Sequence, residues 1–199
     1  MSADLYIIAV SDKAVNEVTG WLRVTDKIVV HTAGSVSMDQ LSACSTRTGI
    51  LYPLQSVRKE TPVLPDTPLL INAVDQSTLD EIYALAKTIS ATVQVADDAK
   101  RSRLHVAAVM INNFSNHLYT LANDFCKNEN VDFRLLIPLI REGTERLTYL
   151  QPDQLQTGPA VRGDDPTINS HLQLLQNYPD LVEIYRLFTE KIRQYYEES

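Results

Sequence analysis

The sequence predicts an α/β protein, with a parallel sheet and its connecting helices over residues 1–96 followed by an all-helical bundle over residues 97–199. Three observations carry this. Short apolar runs separated by turn residues fill the first half, helical periodicity takes over at about residue 97, and no strand-like run follows residue 96.

Residues 4–10 (DLYIIAV) form a nearly continuous apolar run, as expected of a strand covered on both faces. Ser11 and Asp12 then cap a helix over 13–22, and residues 27–31 (KIVVH) give a second strand opening into Thr32-Ala33-Gly34-Ser35, which completes a βαβ unit. Residues 49–55 (GILYPLQ) read as a third strand. Pro53 places it at a sheet edge or puts the strand's end there, because proline donates no ladder hydrogen bond. Pro62, Pro65 and Pro68 mark an extended linker. Residues 68–73 (PLLINA) and 91–95 (ATVQV) are the fourth and fifth strands, with an amphipathic helix over 77–90 between them.

In the second half, Leu104, Ala108, Ile111, Leu118, Leu121 and Phe125 recur at helical spacing along one helix of about 30 positions. A second helix is expected over 132–150, a loop around Pro152, Gly158 and Pro159, a third helix starting at Asp164-Asp165-Pro166, and a fourth over 180–196.

Composition narrows the function classes. A net charge of −7 disfavours a phosphate backbone as partner, so nucleic acid is not expected. The longest apolar runs fall well short of the roughly 18 residues of a membrane span and no basic leader pattern precedes them, so a cytoplasmic protein without membrane contact is expected. Cys44 and Cys126 have neither metal nor disulfide spacing, and the four histidines show no metal-ligand pattern, so no metal is expected.

Ligands of open α/β sheets bind beyond the carboxyl ends of the strands. Three loops lie there: Val10-Ser11-Asp12, residues 31–35 and residues 52–55. They offer hydroxyls at Ser11, Thr32 and Ser35, and a glycine at Gly34 that permits close approach. Taken singly, each also reads as a helix cap or an ordinary turn. On the long helix, His105, Asn112, Asn116 and Tyr119 fall within roughly 60° of one another at about 100° per residue, forming a polar stripe that faces either solvent or the sheet. Arg162, in the turn-rich stretch QTGPAVRGD, can clamp an anion or pair with Asp164 or Asp165. No Gly-x-Ser-x-Gly elbow and no Gly-x-Gly-x-x-Gly dinucleotide fingerprint occurs among the six glycines.

The succession ADLYIIAVSD, VVHTAGSVSMDQL, YPLQSV, LHVAAVMINNFSNHLY and QTGPAVRGD resembles a family of bacterial proteins assigned as NADP oxidoreductases, across nearly the whole chain. Those proteins join a Rossmann-like domain to an uncharacterised all-helical C-terminal domain within the wider 6-phosphogluconate dehydrogenase-like group. The resemblance implies NADP as cofactor, with Ser11 and Asp12 near its ribose and phosphates and His31, Thr32 and Ala33 near the nicotinamide. It further implies that His105, Asn113 and Asn116 look across from the helical half; together with Gln55 of the third loop and Arg162, Asn113 and Asn116 are expected to hold a small-molecule substrate between sheet and bundle. Family members carry a Gly-rich βαβ segment ahead of the strand that starts here at Asp4, so the resemblance also implies a member lacking that first half, together with the pyrophosphate-binding turn it holds. Related hydroxyacid dehydrogenases place a lysine one turn before an Asn-Asn pair; here Ala108 and Val109 precede Asn112-Asn113, which leaves His105 as the group on that helix able to move a proton near neutral pH.

Two functions are therefore expected: an NADP-dependent oxidoreductase of a small molecule with His105 as its catalytic group, or a non-catalytic dimerisation or ligand-binding module. Leu181, Ile184, Tyr185, Leu187, Phe188, Ile192 and Tyr195 give the last helix an apolar face that favours a homodimer through the helical half.

Overall fold

The alternation of apolar runs and turns resolves into a single five-stranded sheet. The computed structural model describes residues 3–57 and 66–197, so the linker residues Pro62 and Pro65 lie outside the described residues. Along the sheet the order is β1 (Leu5–Ile8), β2 (Ile28–His31), β3 (Arg47–Pro53), β4 (Leu69–Ala73) and β5 (Val93–Val95). Neighbouring strands are parallel except β3 and β4, which run antiparallel with Gly49 opposite Ala73 and Pro53 opposite Leu69. The sheet is thus mostly parallel rather than wholly so. An antiparallel pair needs no crossover helix, and strand direction leaves no mark on the apolar pattern of a strand.

One detail departs from the sequence reading. β1 is an edge strand and is not covered on both faces: Ile7 is 49% exposed. β3 lies in the middle of the sheet, and Pro53 is its last residue, where the missing N–H does not interrupt the pairing. Gly49 in β3 has no room for a side chain, since a Cβ there would overlap Ile82 Cδ1 and approach the Asn72 carbonyl to 2.6 Å.

Side chains alternate across the sheet and build two cores. On one face Ile28, Val30, Leu51, Leu69 and Ile71 pack against Ile82 and Ala86 of α2 (Gln76–Ile89), which Asp75 caps by accepting the Thr78 N–H at 2.8 Å. On the other face Ile8 and Val29 meet Leu41, Cys44, the partly buried Val18 of α1 (Asp12–Trp21) and its C-cap Leu22, while Ile50, Tyr52 and Leu70 meet Leu104 of α3 (Asp98–Ala108).

The chain divides into two compact units, residues 1–115 and 116–199, and the expected division at residue 97 coincides with the N-cap of α3, inside the first unit. The long helix is not uniform. After α3 a π-helical turn (Val109–Phe114) precedes α4 (Ser115–Asn128). The helix expected over 132–150 is shorter: a 3-10 turn (Phe133–Leu136) leads into α5 (Ile137–Arg146), because Pro138 has no N–H to donate and fits the first turn of a helix rather than its interior. A short helix α6 (Pro152–Leu155) occupies part of the expected loop. Beyond it α7 (Asp165–Leu174) starts where the Asp-Asp-Pro signal placed it, with Asp164 accepting the Thr167 N–H at 3.2 Å, and α8 (Pro179–Glu197) ends the described chain. No helix among the described residues is long and apolar enough to cross a membrane.

Candidate active site

The loop after β2 is shaped by two buried side chains. His31 is fully buried; its Nδ1 accepts the Ala33 N–H at 3.2 Å and its Nε2 lies 3.4 Å from the Ser37 carbonyl, so the neutral ring carries its proton on Nε2 and donates there. Burial pushes the His31 imidazole below the usual histidine range; the Ser37 carbonyl opposes this and the nearby Arg101 charge adds to it. Both ring nitrogens are thereby committed inside the loop, and neither is left for a ligand.

Arg101, one turn into α3, has no solvent exposure. Its Nε donates to the Gly34 carbonyl at 3.3 Å, one Nη donates to the Val36 carbonyl, and the other pairs with Asp98 Oδ1 at 2.7 Å. Asp98 Oδ2 in turn accepts the Met38 N–H at 3.0 Å. Burial pushes the Asp98 carboxyl up, but hydrogen bonds from Ser37, Arg101 and Met38 outweigh it and hold the group below the usual carboxylate range. Asp97 caps the helix, accepting the Lys100 N–H at 2.7 Å, so the first turn of α3 is fixed at both its ends.

His105 follows Arg101 by four residues and so lies on the same side of α3. Gly34 is required here. A Cβ on it would come within 2.6 Å of His105 Nδ1, so the close approach foreseen at this glycine is made by the imidazole. The same Nδ1 lies 3.0 Å from Tyr52 Oη, with the two rings edge-to-face at 6.1 Å. Burial raises the Tyr52 phenol above its ordinary value, which keeps it protonated at neutral pH.

These residues open onto a cavity of about 640 Å³, within the usual range for small-molecule sites. Gln55, Ser56, His105, Asn112 and Asn113 supply its polar groups and Leu104 and Val109 part of its apolar wall. Asn112 donates to Ser56 Oγ at 2.6 Å, which ties the segment after β3 to the π-helical turn. Asn112 and Asn113, neighbours in the π-helical turn, both line this hollow.

Of the residues singled out in the sequence, Gln55, His105, Asn112 and Asn113 share this cavity. Ser11 is the N-cap residue of α1, exposed and with no side-chain capping bond, while Asp12 accepts a short hydrogen bond from Ser35 at the tip of the neighbouring strand. Ala33 is buried, and Thr32 lines a separate hollow of about 420 Å³ with Ile7, Leu51 and Leu69 on the opposite face of the sheet. Asn116 and Arg162 belong to the second unit: Asn116 is exposed on α4, and Arg162 is exposed in the turn before α7, where its charge helps lower the carboxyl of Asp164 after the hydrogen bonds from Thr167. Sequence reasoning missed the roles of Arg101, Asp98 and the Tyr52 hydroxyl. Tyr52 alone left a signal, since it shares the inward parity of Ile50 and stands at the end of a strand already marked as a candidate loop. Among the described residues no cluster is suited to a metal ion.

Residues 67–192 match the family described as a domain of unknown function, DUF2520. The chain belongs to this family. It is 35% identical to a Bacteroides fragilis protein whose crystal structure is described as that of a putative NADP oxidoreductase, over 96% of this chain and 76% of that one, with a TM-score of 0.90. A Thermotoga maritima structure is similar over 100% of this chain and 80% of its own, at 19% identity and a TM-score of 0.78. An Aspergillus terreus reductive aminase, solved with NADPH and ethyl levulinate, is similar over 99% and 75% at 14% identity and a TM-score of 0.65. The last two likenesses bear on the fold, a Rossmann-like sheet followed by helices. No curated protein sequence matches the chain.

The lowered pKa of His31 has a measurable consequence. The unfolded chain binds a proton near pH 6.5 and the folded chain only at lower pH, so this contribution to stability is intact above about pH 6.5 and is lost as the pH falls below it. Urea unfolding at pH 7.5, 6.0 and 5.0 is expected to show falling stability across that series and a flatter dependence in His31→Gln; an unchanged slope in the variant would place the titration elsewhere.

Proposed function

We propose that this protein is an NADP(H)-dependent oxidoreductase acting on a small molecule held in the cavity beside His105. The observation that carries the reading is the cavity itself, where an imidazole with a free nitrogen edge stands among the amides of Gln55, Asn112 and Asn113. The 35% identity to the protein described as an NADP oxidoreductase supports the choice of chemistry and cofactor.

The tips of β1 and β2 fit part of such a cofactor. Ser11 has a hydroxyl free of capping duty at the start of α1, and Asp12 and Ser35 are already drawn together beside it. Thr32 and Ala33 occupy the next strand tip, which Arg101 and Asp98 hold in place through Gly34, Val36 and Met38. This set suits a ribose and a flat ring; the described residues supply no glycine-rich turn for a pyrophosphate. When bound, NADPH supplies hydride. The chain's own residues then have three tasks: Ser11, Thr32 and Ala33 hold the cofactor's near end, Gln55 and Asn113 orient the substrate by hydrogen bonds, and His105 transfers a proton.

The proposed partner of the helical unit is a second copy of the chain. Among described residues 116–197 only Cys126, Ala160 and Ile168 are buried, and α5 buries none, while Leu135 just before it and Leu139 within it are 74% and 67% exposed. Apolar helix faces of this extent commonly meet a copy of themselves.

Two measurements test these readings. NADPH titrated into the chain by calorimetry should give saturable heat and slow amide exchange over residues 9–12 and 31–35; absence of both would remove the cofactor assignment. Light scattering at micromolar concentration should return twice the 22.4 kDa chain mass, whereas a concentration-independent monomer would remove the dimer.

A further inference from the structure

Nδ1 and Nε2 of His105 are in different surroundings. Nδ1 is 3.0 Å from Tyr52 Oη and faces the position where any Gly34 side chain would stand, so that edge of the ring is closed by the phenol and by the loop after β2. Nε2 has no hydrogen-bond partner among the described residues, and the ring lines the 640 Å³ cavity. We infer that Tyr52 is a positioning residue for His105: its hydroxyl engages Nδ1, fixes the ring, and leaves Nε2 as the atom through which the histidine exchanges a proton with a ligand in the cavity.

The ring proton on Nε2 is the arrangement in which the phenol proton also has an acceptor. His105 Nδ1 is the one partner of Tyr52 Oη among the described residues, so with the ring neutral the hydroxyl donates to Nδ1 and the ring proton sits on Nε2. When the ring is protonated, Nδ1–H donates instead and the phenol oxygen accepts. One hydroxyl therefore holds both forms of the ring, donating to Nδ1 of the neutral form and accepting from Nδ1–H of the imidazolium.

The inference deepens the oxidoreductase reading and rests on it for the identity of the reaction. In the reduction of a C=O or C=N bond by a reduced nicotinamide, the carbon gains hydride, the π pair passes to the heteroatom, and that atom requires a proton. The Nε2–H bond of the imidazolium breaks as the new O–H or N–H bond forms. The ring left behind is transiently the Nδ1–H tautomer, whose proton Tyr52 Oη accepts, until Nε2 regains a proton from water. The oxidative direction runs the same transfer backwards.

The placement of the proton is testable without substrate or cofactor. In long-range proton–nitrogen spectra of the labelled protein, with His105 assigned by His105→Gln, the neutral His105 ring should carry its proton on Nε2 and show an Nδ1 resonance displaced by hydrogen bonding. Tyr52→Phe keeps the aromatic ring and should move that Nδ1 resonance to the position of a free imidazole nitrogen, while His171, bonded to Tyr185 at 2.8 Å, stays where it was and reports that the fold is intact. Diethyl pyrocarbonate should acylate His105 in the wild-type protein at least tenfold faster than the buried His31, a comparison that needs no variant. A ring proton on Nδ1 of the wild type, an Nδ1 resonance indifferent to Tyr52→Phe, or a His105 as unreactive as His31 would each overturn the assignment. A failure of NADPH to bind alters none of these readouts, so the two readings fail separately.

Discussion

The site depends on one interaction, the burial of the Arg101 guanidinium between the start of α3 and the loop after β2. Removing such a charge from water costs several kcal/mol even after relaxation, and it persists where the hydrogen-bonding groups are satisfied. Here Asp98 supplies the counter-charge and the Gly34 and Val36 carbonyls take the remaining contacts. The bonds run to backbone atoms on one side and to a side chain of the same helix on the other, so they lock a helix to a loop that has no strand partner to hold it. His105 lies one turn further along the same face of α3, and its packing on Gly34 and its reach to Tyr52 follow from that lock.

Much of the sheet and part of the site were legible in the sequence. The run KIVVH becomes a strand buried at all four of its positions, and the Asp-Asp-Pro signal opens α7 at the expected residue. A strand-end loop brought Gln55 into consideration, the helical stripe His105 and Asn112, and the family resemblance Asn113, and all four line one cavity. What stayed hidden shares a physical cause. Arg101 sits in the polar segment DDAKRSR and reads as a solvated residue, because two of its partners are carbonyls and a carbonyl looks the same in any sequence. His31 and Thr32 are neighbours in the chain, yet alternation turns one into the covered face and the other to the hollow beside Ile7. The π-helical turn is a local change of hydrogen-bond register that apolar periodicity does not encode. The direction of β4 was likewise unreadable, since an inward-facing strand has the same pattern whichever way it runs.

The cavity combines fixed and adjustable parts. Tyr52 and Gly34 constrain the imidazole on one side, and the Asn112–Ser56 hydrogen bond ties the π-helical turn to the segment after β3, so His105 stands on rigid elements; Gln55 Oε1 accepts the Ser56 N–H at 2.9 Å, which leaves the Gln55 amide nitrogen and Asn113 to meet a ligand. Preorganisation of this kind lowers the cost of reaching a reactive geometry.

The central claim is that a buried guanidinium holds the loop from which the site is built. Amide hydrogen exchange at Ala33 and Met38 tests it most directly, because these N–H groups are bonded to the His31 and Asp98 side chains rather than to a neighbouring strand. The account predicts that both exchange as slowly as the amides of β2 and become fast in Arg101→Met while β2 itself stays protected. Fast exchange of both in the wild-type protein, or slow exchange unaltered by the substitution, would contradict it.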